Sequence, residues 1–165
     1  MKKESIKAKK DRVKQVYETL MALYPEITTF LTHQNPFELL IAVILSAQCT
    51  DERVNKVTPA LFKQFPTPSK LGGGSLEEIK ERIKSVNYFN NKAKNIKKTA
   101  QMIHDNYHDE VPPNITDLVK FPGVGRKTAN VVLGQAFDQP GITVDTHVNR
   151  VTYRLGWAKK GNPEK

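Results

Sequence analysis

No stretch of this chain alternates apolar and polar side chains over the length of a strand. Its apolar residues recur at helical spacing instead, in segments divided by helix-capping signals. That pattern restricts the fold to all-α, built from short helices with short connections. Val13, Val16, Tyr17, Leu20 and Leu23 form one stripe, which Pro25 closes. Asn35-Pro36-Phe37-Glu38 reads as an N-cap, an N1 proline and an N3 glutamate reaching back, opening an apolar helix from Leu39 to Ala47. Thr50-Asp51-Glu52 starts a third helix, with Pro59 placed to kink it or end it early. Thr67-Pro68 opens a short helix that stops at Gly72-Gly73-Gly74, and Ser75-Leu76-Glu77-Glu78 is a second capping box. Asn90 or Asn91 begins a longer helix, and Asn114-Ile115-Thr116-Asp117 a short one that ends at Phe121. From Arg126 to Phe137 an amphipathic helix carries Ala129, Val132, Leu133, Ala136 and Phe137 on one face. Asp145-Thr146 starts the last helix, and Gly156 terminates it.

A chain of 165 residues can bury a sizeable core, and 38% hydrophobic against 26% charged residues excludes global disorder. The longest apolar run, Leu39 to Leu45, is too short to span a bilayer. The lysine-rich start has no apolar stretch behind it, so no secretory leader is read and a cytoplasmic location is expected. A single cysteine, Cys49, excludes an internal disulfide and a cysteine cluster. His104 and His108 are four apart but lack an evident third ligand, so no metal site is expected. The formal charge is +9, from 26 basic and 17 acidic residues, which favours polyanions. Seven of the first fourteen residues are basic, and a solvated N-terminal helix accounts for these as well as nucleic-acid binding does.

The stretch Phe121-Pro122-Gly123-Val124-Gly125-Arg126-Lys127 joins two helices. Proline fixes one φ angle and glycine opens others, so the turn can present backbone N–H groups with no side chain in the way. It feeds a helix N-terminus, which attracts phosphate. Gly123, Val124, Gly125 and Arg126 are therefore expected to grip a nucleic-acid backbone, although an ordinary tight turn would also use glycine. Lys127 lies in the first turn, where the helix dipole works against a cation. A free amine is what attacks carbon. Asp145 taken alone reads as a plain N-cap.

The segment Leu118 to Val132, with its Phe-Pro-Gly-Val-Gly-Arg-Lys core, resembles the helix-hairpin-helix of the endonuclease III family of DNA repair glycosylases with abasic lyase activity. Ile142-Thr143-Val144-Asp145-Thr146-His147-Val148 resembles that family's aspartate segment, and the stretches Pro36 to Gln48 and Asn91 to Ile96 match as well. The resemblance runs from about residue 10 to the end. It implies a six-helix barrel with the hairpin over residues 29–139, and a partial second helical domain from residues 1–28 and 140–165. It implies a monomer acting on damaged double-stranded DNA, with no membrane partner. The amine of Lys127 would attack the sugar C1′ of a flipped nucleotide, displace an oxidised pyrimidine and form a Schiff base, and β-elimination would cut the strand. Asp145 would assist. Gln48 would help to fill the gap left by the flipped base. Tyr88 stands where the family commonly has a leucine wedge, a departure that touches damage preference.

The resemblance also implies a four-cysteine iron–sulfur cluster near the family's C-terminus, but the chain stops at Lys165 without those cysteines, so no cofactor is expected within it. Two other readings stay open. One is a non-catalytic helix-hairpin-helix module that binds duplex DNA. The other is an adenine mismatch glycosylase, a class that generally lacks the lysine.

Overall fold

The computed structural model describes residues 4–25 and 29–159, and these residues are helical with no strand. They divide into two compact units, Thr29–Thr143 and Met1–Thr28 with Val144–Lys165.

The larger unit is organised around α2, Pro36–Ser46. Its run Phe37 to Leu45 is buried at every position, because a helix that is apolar all round has no face to give to water. Asn35 caps it by accepting from the Glu38 amide at 2.9 Å, and Pro36 occupies the first turn. The Glu38 carboxylate reaches past the cap to the Gln34 amide at 2.8 Å, one residue further back than a capping box reaches. Around α2 stand α3 (Asp51–Gln64), α4 (Pro68–Gly73), α5 (Leu76–Ile83), α6 (Phe89–Tyr107), α7 (Ile115–Leu118) and α8 (Arg126–Ala136). α2 packs on α3, α6 and α8, while α4 and α5 pack on α6. Leu39, Leu40, Ile41 and Leu45 of α2 meet Leu61, Leu71, Ile79, Ile83, Ile96, Ile103 and Leu118 in one continuous core. Leu40 is fully buried at its centre. Leu40→Ala is expected to cost about 2–5 kcal/mol, read as a fall in the thermal unfolding midpoint.

Local signals misled in three places. Pro59 neither ends nor divides α3, which continues to Gln64. The proline sits on the exposed face, where the carbonyl it leaves without an N–H partner can turn to water. Ser75 precedes α5 but makes no side-chain cap bond. α6 starts at Phe89 rather than at Asn90 or Asn91, and Tyr88 before it takes a left-handed φ of 57°.

The smaller unit holds α1 (Ile6–Leu23) and α9 (Thr146–Arg154). Two cations of the basic N-terminal segment have structural work here. The Arg12 guanidinium donates to the Leu155 carbonyl at 2.7 Å, and Lys9 Nζ donates to that of Trp157 at 3.1 Å. Both acceptors lie just past the end of α9, where a helix has carbonyls to satisfy and favours positive charge. Arg12 also pairs with Glu4 at 2.9 Å. Gly156 closes the turn with φ 66°, a left-handed angle suited to glycine.

Candidate active site and nucleic-acid interface

The hairpin between α7 and α8 is pinned from below. Phe121 is buried and meets Tyr107 edge-on, with ring centroids 5.6 Å apart. Val124 turns inward and is also buried, and its amide donates to the Phe121 carbonyl at 3.0 Å. Thr99 of α6 donates its hydroxyl to the Pro122 carbonyl at 3.2 Å. These anchors fix the turn against α6 and leave Gly123, Gly125, Arg126 and Lys127 exposed.

The two glycines serve different ends. Gly123 has φ 82°, and a Cβ there would stand 3.0 Å from Asn95 Nδ2 and 3.2 Å from Ile44 Cγ2. The backbone angle calls for glycine, and a Cβ would also press on these two side chains. Gly125 has φ −92° and ψ 177°, extended backbone open to any residue, and an added Cβ would meet nothing within 4 Å. The expectation that the chain needs glycine to bend at both positions is thus corrected for Gly125. What remains special there is the bare approach to the backbone. Gly125 is also the N-cap of α8 and offers no side-chain acceptor to the first-turn amides.

Lys127 stands exposed in that first turn, beside Arg126. Lys120, on the other side of the hairpin, is engaged by Asp117 at 2.6 Å. Lys120, and then Asn114, hold the Asp117 carboxyl below the usual carboxylate value.

Asp145 belongs to the smaller unit and is the N-cap of α9. Its Oδ1 accepts from the His147 amide at 2.9 Å and the Val148 amide at 2.7 Å. Capping and a catalytic role are therefore compatible in one carboxylate.

Gln48 and Tyr88 are exposed, and the structure brings their loops together. Asn87 Nδ2 donates to the Gln48 carbonyl at 2.8 Å. Lys92 Nζ donates to the carbonyls of Leu45 at 2.8 Å and Ala47 at 2.6 Å. Burial pushes the Lys92 ammonium below the ordinary lysine value, an effect that neighbouring Cys49 offsets in part. Sequence reasoning gave Lys92 and Asn87 no role. For Lys92 the signal was present, because it heads the buried stripe Lys92, Ile96, Thr99 and Ile103 of α6, where a solvated lysine has no place. For Asn87 no local pattern marks the partner.

The iron–sulfur cluster implied by the resemblance needs four thiolates. This sequence supplies one, Cys49, and among the described residues no group of three His, Cys, Asp or Glu side chains is placed to hold a metal ion. The residues of this chain do not fit such a group. Among the described residues no helix is long and apolar enough to cross a membrane.

Comparison with known proteins agrees with this arrangement. The family described as HhH-GPD superfamily base excision DNA repair protein matches residues 41–165. Endonuclease III of Synechocystis sp. is 50% identical over 157 residues, covering 94% of this chain and 72% of that protein. Two solved endonuclease III–DNA complexes, one non-covalent and one a trapped covalent intermediate, superpose with a TM-score of 0.86 at 48% identity, covering 93% of this chain and 72% of theirs. With its hairpin, lysine and capping aspartate on this all-helical frame, the chain belongs to the HhH-GPD superfamily of base excision DNA repair proteins and, within it, to the endonuclease III family.

Proposed function

We propose that this chain excises oxidised pyrimidines from duplex DNA and then cleaves the abasic site, with Lys127 as nucleophile and Asp145 as assisting carboxylate. One observation carries the reading. An exposed lysine stands in the first turn of α8, directly after a hairpin whose outer atoms are backbone and glycine. Binding alone needs the hairpin but neither Lys127 nor Asp145.

The duplex backbone is held at Gly123, Gly125 and Arg126, where amides and a cation meet phosphate without reading sequence, while Val124, expected from the sequence to share this contact, is buried with its amide bonded to the Phe121 carbonyl and braces the turn from inside. The damaged nucleotide swings out, and Gln48 and Tyr88 enter the stack in its place. Lys127 Nζ attacks C1′, the C1′–base bond breaks, and the base leaves with its electron pair and takes up a proton. The new secondary amine gives up one proton, the C1′–O4′ bond breaks as O4′ takes up a proton, and a C1′ Schiff base results. Loss of a C2′ proton expels the 3′-phosphate and cuts the strand. Asp145 stabilises the positive charge that develops on the sugar and helps to take the amine's proton. In this reading residues 29–139 are the barrel domain, and residues 1–28 and 140–165 are part of a second helical domain.

The direct test is incubation with duplex DNA carrying an oxidised pyrimidine, with borohydride present. Release of the base and a covalent protein–DNA adduct support the reading. Salt-sensitive binding without adduct or base release would leave only a binding module.

Gly125 offers a clean test of the phosphate grip. The extended backbone angle suits valine and an added Cβ meets nothing within 4 Å, so Gly125→Val should fold normally. It should nonetheless bind intact and damaged duplex about tenfold more weakly, from loss of one charge-assisted backbone contact. Wild-type affinity in a filter-binding or anisotropy titration would end the phosphate-grip assignment.

A further inference from the structure

Gln48 and Tyr88 share an unusual backbone. Both take left-handed φ angles, 54° and 57°, with exposed side chains. Such angles cost L residues with a Cβ roughly 1–2 kcal/mol and persist only where surrounding structure enforces them. In this case the enforcing groups can be identified.

In the last turn of α2 and just past it the chain has carbonyls without helical partners. Those of Leu45 and Ala47 accept from Lys92 Nζ, and that of Gln48 accepts from Asn87 Nδ2. All three donor bonds come from the segment that carries Tyr88. On that side the Tyr88 carbonyl accepts the amides of Asn91 and Lys92 at 3.1 Å, which ties the turn to the first coil of α6. Lys92 is therefore bound at both ends, by its amide to Tyr88 and by its ammonium to the Gln48 turn. It is buried at 6% exposure, which makes its two carbonyl bonds hard to exchange for water. Asn87, by contrast, is exposed, and its bond closes the outer edge of the same junction.

From this geometry we infer that Asn87 and Lys92 are positioning residues that lock the Gln48 and Tyr88 loops, forty residues apart in sequence, into one preformed wedge for entering the duplex. The inference rests on the proposed repair function, in which Gln48 and Tyr88 replace an extruded nucleotide. Neither Asn87 nor Lys92 touches the reacting atoms. Their contribution is that two side chains arrive in the stack together, with their strained backbone already held in place.

The experiment uses the full chain with Asn87→Ala, Lys92→Met and Lys92→Arg. Asn87→Ala removes one exposed side chain, so its fold should persist. Lys92→Met keeps an apolar stem and deletes the donors, and Lys92→Arg restores donors to the same carbonyls. Two reactions are compared: release of an oxidised pyrimidine from duplex DNA, and borohydride trapping on a single-stranded abasic oligonucleotide, which has no stack to enter. In Asn87→Ala and Lys92→Met the ratio of the first to the second should fall by about tenfold or more, with partial recovery in Lys92→Arg. A 2-aminopurine placed opposite the lesion should lose much of the fluorescence change that wild type induces on binding. That signal reads duplex entry without any chemistry, so it decides the positioning role separately from whether Lys127 forms an adduct. An unchanged ratio with wild-type fluorescence in Asn87→Ala overturns the inference. So does an equal fall of both reactions together with a lowered unfolding midpoint, since that marks structural support alone.

Discussion

Lys127→Gln is expected to abolish the borohydride-trapped adduct and to reduce strand cleavage by on the order of 10,000-fold, the scale on which removal of a covalent nucleophile acts. Affinity for abasic duplex should fall only about two- to fivefold, because one cation near phosphate is lost while the hairpin amides remain. The position supports this division of labour. Lys127 is exposed in the first turn of α8, and the anchors that hold the hairpin are other groups: Phe121 on Tyr107, Thr99 on the Pro122 carbonyl, and Gly123 against Asn95 and Ile44. The variant should therefore fold as wild type does. Trapping and cleavage at wild-type rates would transfer the nucleophile to another amine. A loss of binding equal to the loss of cleavage would make Lys127 a phosphate contact.

The second large effect is expected at Asp145. Asparagine is as good an N-cap as aspartate, and its side-chain oxygen can accept the same bonds from the His147 and Val148 amides. Asp145→Asn therefore removes the negative charge and keeps the cap. Turnover should drop by on the order of 100- to 10,000-fold, with affinity within about fivefold of wild type. Asp145→Ala should lose the same activity and, in addition, about 1 kcal/mol of helix stability with the cap. The comparison separates the two roles of one carboxylate. If asparagine restores activity and alanine does not, Asp145 acts only as a cap.

Much of this protein is written locally. Five helices begin where Asn35, Thr50, Thr67, Asn114 and Asp145 supply side-chain oxygens to backbone amides three or fewer residues ahead. Such bonds involve near neighbours in the chain, so the sequence alone determines them. The same holds for the buried course of α2 and for the placement of Lys127 one residue into α8. The family resemblance rests on those local features, so the sequence alone carries it.

What lies between distant segments followed another rule. A lysine in an apolar stripe announces that an ammonium is buried, but not that the carbonyls of Leu45 and Ala47 receive it. Nothing near Asn87 names Gln48, and nothing near Lys9 or Arg12 names the end of α9. Gly123 and Gly125 look equivalent in sequence, yet only one has a positive φ and a crowded Cβ, because only one is pressed against α2 and α6. Pro59 is tolerated in α3 because packing turned that face outward. Periodicity and capping chemistry specify which residues are helical and which are buried. The partner of each buried or strained group is set only when the helices pack, since a hydrogen bond between positions 40 or 140 residues apart has no local trace.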